Sequence, residues 1–166
     1  MDYSTKAAEA FRRGYNCSQA VAVAFCDLLG LTESQAARMA SSFGGGMGRM
    51  REVCGGVSGM LLVAGMLYGY DTPGDDTAKK QHYTLVQSLA GQFREKAGSI
   101  VCREILKNPP SDPNPTPRTD DFYAKRPCVR MVALAASILE GYIRENPPRQ
   151  TGFAWESPET AQEISK

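Results

Sequence analysis

The longest uncharged stretch of the chain, residues 53–70, most constrains how the chain can fold. It is apolar and about long enough to cross a bilayer. However, five glycines and Ser58 interrupt it, and the flanking residues form no distinctive pattern. We therefore interpret residues 54–68 as a helix buried in a protein core, and we expect no membrane span.

The rest of the apolar periodicity is also helical. Asn16 is a good N-cap, Thr32 and Gln35 form a capping box, and Pro127 suits a first helical turn. No segment alternates with a period of two, so we predict an all-α, single-domain bundle of about five to seven helices. The predicted helices are residues 3–13, 16–29, 32–43, 54–68, 75–97, 99–107 and one starting at 127, with a proline-rich loop over 108–121.

The helical domain is expected to span residues 1–146, which leaves 147–166 as a C-terminal tail. The tail is polar except for Phe153 and Trp155. Those two aromatic side chains are expected to anchor it to the body of the protein or to a partner subunit.

Composition excludes several classes of function. The chain has 19 Lys and Arg against 18 Asp and Glu, which argues against a general nucleic-acid-binding protein. Its one histidine excludes metal sites that need two or more. The N-terminus has no signal-peptide pattern, and five cysteines is an odd number. Both observations favour a cytoplasmic location, where cysteines are more often reactive or metal-binding than joined in disulfides.

Four of the five cysteines share one local setting. Cys17, Cys54, Cys102 and Cys128 each fall in the first turn of a predicted helix, where unpaired N–H groups stabilise a thiolate. Arginines flank three of them in sequence. Cys26 lies nine residues after Cys17, on the opposite face of the same predicted helix, and is interpreted as an ordinary buried residue.

Three further features are ambiguous. The loop containing Gly45, Gly46 and Arg49 could contact an anion, but a tight turn leading to Cys54 is the simpler interpretation. His82 lies on a hydrophobic stripe and is interpreted as a core or boundary histidine, with a role near the thiols as the alternative. Glycines spaced four apart allow a close helix neighbour, either within the chain or in a homodimer.

The segments Tyr15–Val21, Phe43–Arg49 and Cys54–Gly59 resemble the C_GCAxxG_C_C family, small redox-active proteins named for four cysteines. Cys102 and Cys128 would be the third and fourth. In this chain the first two letters of the G-C-A-x-x-G motif are exchanged and Gly56 replaces its alanine. The resemblance covers roughly residues 15–143 and implies redox activity, but it implies no substrate or partner.

Three functions remain open from the sequence. The first, slightly favoured, is cofactor-free thiol–disulfide exchange by a thiol-dependent oxidoreductase acting on an unidentified redox partner. Cys54 would attack, and Cys17, Cys102 or Cys128 would resolve. The second is an iron–sulfur cluster or all-thiolate zinc held by the same four cysteines. The third is a structural or oligomerisation module with incidental cysteines.

Overall fold

The computed structural model describes residues 2–148, and within them the fold is all-α. A 3₁₀ turn at Ser41–Phe43 and an irregular turn at Gly44–Met47 join the helix that ends at Ala40 to the segment before the helix that begins at Gly55. The nine regular helices of this part of the chain are α1 (Tyr3–Arg12), α2 (Cys17–Ala24), α3 (Cys26–Leu29), α4 (Glu33–Ala40), α5 (Gly55–Tyr68), α6 (Asp76–Ala97), α7 (Cys102–Ile105), α8 (Asp120–Lys125) and α9 (Cys128–Glu145).

The all-α, single-domain prediction is confirmed, although nine helices exceed the expected five to seven. One extra helix arises because the predicted second helix breaks at Phe25, whose φ of −102° and ψ of 8° are not helical. The other is α8, which forms at the end of the segment predicted to be a loop. Thr119 begins α8 by accepting a hydrogen bond from the backbone N–H of Phe122 at 3.2 Å.

Helix α5 forms the centre of the core, packed against α2 on one side and α9 on another. Gly59 allows the close approach of α2, since a Cβ at this position would lie 2.7 Å from the backbone oxygen of Ser18. The uncharged stretch is therefore a core helix, as predicted. None of the helices within residues 2–148 combines the length and the apolar character needed to cross a membrane.

Helix α6 packs on α5 and α9 as an outer layer. The hydrophobic stripe on which His82 lies is present along α6. Leu85, Leu89 and Phe93 are buried, and His82 is half-buried. At the other side of the core, α1 contacts α2 and α9. The core therefore groups α1, α2, α5 and α9.

The capping interactions predicted from sequence set the start of two helices. Asn16 and Gln19 form a complete capping box before α2, and Thr32 and Gln35 form one before α4. The predicted tail anchors Phe153 and Trp155 lie outside the described residues.

Candidate thiol site

The four cysteines singled out by their positions all lie at helix starts in the structure. Cys17, Cys102 and Cys128 are the first residues of α2, α7 and α9, and Cys54 is the N-cap of α5. The predicted helix 99–107 is shorter in the structure, where it is α7, and Val101 rather than Ser99 occupies its N-cap position. All five cysteines are free thiols.

A short antiparallel bridge between Val53 and Val101 positions two of these starts. The backbone N–H of Cys54 donates to Ile100 at 2.8 Å, and that of Cys102 donates to Glu52 at 2.6 Å. Residues on either side of one bridge are held close together, so α5 and α7 begin at the same end of the bundle.

Two glycines allow close approach at the cysteines. A Cβ at Gly55 would lie 2.8 Å from the Cβ of Cys17. A Cβ at Gly46 would lie 2.7 Å from the Cβ of Cys102, and Gly46 also has a left-handed φ of 72°. Gly46 and Gly55 therefore let the backbone approach the cysteines closely, as the tight-turn interpretation of this segment requires.

Cys17 and Cys128 are neighbouring thiols whose ionisation is linked. Hydrogen bonding by the Cys17 thiol, together with Arg126, Arg118 and Arg51, lowers the Cys128 pKa to about 7 despite burial. The same hydrogen bond, burial and the neighbouring sulfurs raise the pKa of Cys17 well above its ordinary value. The pair thus consists of one thiolate and one protonated thiol near neutral pH.

Cys54 has a different environment from Cys128. Burial raises the Cys54 pKa to about 12, and the backbone N–H groups of Gly56 and Val57 offset this only in part. Burial raises the pKa of Cys102, and the Arg51 guanidinium, whose Nη1 lies 4.0 Å from the Cys102 Sγ, opposes the rise.

Three of the four thiols line one cleft with a volume of about 370 Å³. Cys17, Cys102 and Cys128 lie on its wall, whereas Cys54 is buried behind it. Cys26 lies in a separate cavity with charged residues of α1, away from the other four. The prediction that it is a buried residue on the same helix as Cys17 is wrong, because Cys26 is half-exposed and begins α3 after the break at Phe25. The cleft also contains four arginines and no Asp or Glu in its lining, the arginines being Arg49, Arg51, Arg118 and Arg126.

A comparison with known protein families identifies the family of this chain. A family model described as Putative redox-active protein (C_GCAxxG_C_C) matches residues 15–142, most of the chain. The chain belongs to the C_GCAxxG_C_C family. Neither the curated proteins nor the solved structures gave a match.

Of the four cysteines that the sequence analysis singles out, three line the cleft and Cys54 does not. Within residues 2–148, no three His, Cys, Asp or Glu side chains are grouped so that they could hold one metal ion. The exchanged motif letters place Cys54 before both glycines, where it caps α5.

The glycine loop, for which an anion contact is the alternative to a tight turn, lines the cleft in part. Gly45 and Arg49 are in the lining, whereas Gly46 packs behind Cys102. Three non-glycine residues of this segment, Met47, Arg49 and Arg51, have left-handed φ angles between 63° and 67°. Such strained backbone is concentrated at functional sites in proteins.

Sequence reasoning missed the opposite wall of the cleft. Pro113, Pro115 and Thr116 of the proline-rich loop line it, and Arg118 reaches across to donate to the backbone oxygens of Phe11 and Tyr15. No local signal could reveal these contacts, because they join positions about a hundred residues apart.

Two arginines that are close to cysteines in sequence, and His82, lie away from the cleft. Arg103 pairs with Glu52, and Arg130 is exposed beside another cavity. His82 lies at a third cavity, near Tyr70, with a ring separation of 6.1 Å. A role for His82 near the thiols therefore has no support from its position.

Proposed function

We propose that this chain is a thiol–disulfide redox protein in which Cys17 and Cys128 form and break a reversible disulfide. The observation that carries the proposal is that Cys17 and Cys128, two neighbouring thiols with opposite pKa shifts, both line the wall of one open cleft. One sulfur is poised as a thiolate, and the other holds a proton.

The proposed reaction has two steps. The Cys128 thiolate attacks one sulfur of a substrate disulfide, R–S–S–R, forming a Cys128–S–S–R mixed disulfide and releasing RS⁻. Cys17 then gives its proton to the released RS⁻, attacks the Cys128 sulfur and releases the second RS⁻. The substrate disulfide gains two electrons, and the two protein thiols lose two electrons and join as a disulfide.

This proposal changes the role expected for Cys54. Its pKa of about 12 leaves almost no thiolate at neutral pH, and it does not line the cleft. We therefore assign the attack to Cys128 and place Cys54 in support, where it caps α5 and packs behind the reactive pair.

The test is to oxidise the reduced protein with the neutral bis(2-hydroxyethyl) disulfide and map the products by mass spectrometry. The expected product is an intramolecular Cys17–Cys128 linkage. Cys17→Ala should stop the reaction at a mixed disulfide on Cys128. Cys26→Ser is the matched control, because Cys26 lies in another cavity, and it should still form the linkage.

A linkage through Cys54, or five thiols that survive oxidation, would contradict the proposal. The zinc alternative has less support, because the described residues offer no preformed group of three ligands for one metal ion. The iron–sulfur cluster is the second candidate. Anaerobic purification with iron, zinc and sulfide analysis separates them from the dithiol function. A purely structural role predicts that replacing all four cysteines by serine leaves cellular function unchanged.

The cytoplasmic location and the homodimer remain part of this proposal as expectations. A reducing compartment would keep the five free thiols available. Gly65 and Gly141 have open space where a Cβ would stand, so each leaves room for a second copy. Sedimentation of the full chain would test the dimer.

A further inference from the structure

We propose that the cleft recognises its substrate through a carboxylate or a similar anionic group, so that the substrate class is a small anionic disulfide. This inference rests on the proposed thiol–disulfide function and adds the substrate class to it. Its basis is the juxtaposition of the Cys17–Cys128 pair with four arginines in one cleft.

The charges of the cleft are strongly unbalanced. Within residues 2–148, only Arg49 among the four arginines has a carboxylate within ion-pair distance, Asp112 at 3.6 Å, and none of these residues that line the cleft is acidic. One Cys128 thiolate would neutralise a second arginine. Two positive charges then remain without a counter-ion among residues 2–148.

Arg51 is the most informative of the four. It is only 3% exposed, yet it has no acidic partner in the described part of the chain. Its Nε donates to the backbone oxygen of Pro110 at 2.9 Å, and its Nη2 is buried without any hydrogen-bond partner. A buried, incompletely bonded guanidinium is unfavourable unless an anion completes it.

Arg118 and Arg126 are held in place rather than neutralised. Arg118 lies 4.4 Å from the ring centre of Phe11 and donates to backbone oxygens, and Arg126 lies 4.9 Å from the ring of Phe122. A guanidinium that keeps its charge and is fixed by an aromatic face suits the recognition of carboxylate or phosphate groups.

The size of the cleft narrows the substrate class. A volume of about 370 Å³ is at the lower end of the range for small-molecule sites. It accommodates a short disulfide with one charged group beside each sulfur. We therefore place the anionic group against Arg51 and Arg126 and the disulfide against Cys128.

The experiment compares three small disulfides of similar length and different charge. They are 3,3′-dithiodipropionate, with two negative charges, the neutral bis(2-hydroxyethyl) disulfide, and cystamine, with two positive charges. At low ionic strength we expect the anion to react about tenfold faster than the neutral compound and the cation to react most slowly. Added salt should reduce these differences.

Arginine variants separate substrate binding from thiolate stabilisation. Loss of an arginine that only supports Cys128 would slow all three disulfides equally. Loss of one that binds the substrate would lower the ratio of anionic to neutral rates. We expect Arg126→Gln and Arg51→Gln to lower this ratio severalfold, and Arg126 serves alone if the buried Arg51 variant does not fold. Arg130→Gln is the matched control, because Arg130 lies two residues after Cys128 on α9 but does not line the cleft, and it should leave the ratio unchanged.

A second readout needs no disulfide exchange. Inorganic sulfate should protect Cys128 from neutral iodoacetamide, and Arg126→Gln should weaken that protection. If the disulfides fail to react but sulfate protects, the proposed function falls and the anion site stands. If the neutral disulfide reacts as fast as the anionic one and sulfate gives no protection, the anionic substrate class is wrong.

Discussion

Cys54 and Cys128 occupy nearly the same local setting and have opposite chemistry. Cys54 caps α5, Cys128 begins α9, and the two residues are 6% and 8% exposed. Yet the pKa of Cys54 is raised to about 12, and that of Cys128 is lowered to about 7. Neither helix position nor burial therefore accounts for the difference.

The neighbours account for it. Cys128 receives a hydrogen bond from the Cys17 thiol and faces three arginines, whereas Cys54 has only backbone N–H groups to oppose its burial. The lesson is that a helix N-terminus alone does not stabilise a buried thiolate here. A specific side-chain donor and nearby guanidinium groups are needed as well.

The largest expected effect is the difference in reactivity between these two cysteines. At pH 7 the thiolate fractions of Cys128 and Cys54 should differ by more than a thousandfold, and the higher intrinsic nucleophilicity of a high-pKa thiolate offsets only part of this. We expect Cys128 to be alkylated at least about a hundredfold faster than Cys54. Time-resolved iodoacetamide labelling with peptide mass spectrometry measures both rates in one sample.

The matched variants for this prediction are Cys128→Ser and Cys54→Ser. The first should remove the fast-labelling thiol, and the second should retain it. Comparable labelling rates for the two cysteines in the native protein would break the contrast, and circular dichroism before labelling checks that both variants are folded.

The second prediction tests the contact between the two helix starts. Gly55→Ala would put a Cβ 2.8 Å from the Cβ of Cys17 and 3.1 Å from the backbone oxygen of Phe43. Since neither α5 nor α2 can move freely, we expect a loss of about 1–3 kcal/mol in the free energy of unfolding. Urea denaturation measures it.

Gly91→Ala provides the control for Gly55→Ala. Gly91 lies within α6 and has no atoms within 4 Å of an added Cβ, so alanine should stabilise the protein by about 0.5–1 kcal/mol. Equal effects of the two substitutions would mean that the Cys17 contact does not constrain the position of α5.

Much of the fold, and less of the site, follows from the sequence. Periodicity locates the long helices, and the capping residues Asn16 and Thr32 locate the starts of two shorter ones, because both signals are local. The break at Phe25 and the Val53–Val101 bridge depend on tertiary contacts and have no clear local pattern. For the same reason the sequence predicts four helix-start thiols but not that Cys17, Cys102 and Cys128 line one cleft and Cys54 does not.

The third prediction removes the hydrogen-bond donor. In Cys17→Ala, Cys128 loses the largest contribution that lowers its pKa. Because a thiolate forms as pH rises, a higher pKa moves the alkylation profile from a midpoint near pH 7 to higher pH. We expect the Cys128 rate at pH 7 to fall about threefold to tenfold and the rate at pH 10 to change little. An unchanged midpoint would assign the low pKa to the arginines alone.

Cys102 separates the effect of a neighbouring arginine from that of the Cys17 thiol, and its replacement gives the smallest expected effect. Its sulfur lies 4.0 Å from Arg51, like a thiolate with a guanidinium partner, but its pKa is raised because burial outweighs that arginine. If a nearby arginine were sufficient, Cys102 would react as fast as Cys128. We expect instead that Cys102 labels at least about tenfold more slowly at pH 7. Cys102→Ala should change the rate of Cys17–Cys128 disulfide formation by less than about threefold, as measured by quenched-flow alkylation. A larger loss would make Cys102 a third participant in the exchange, and the arginine-lined side of the cleft would then share the thiol chemistry.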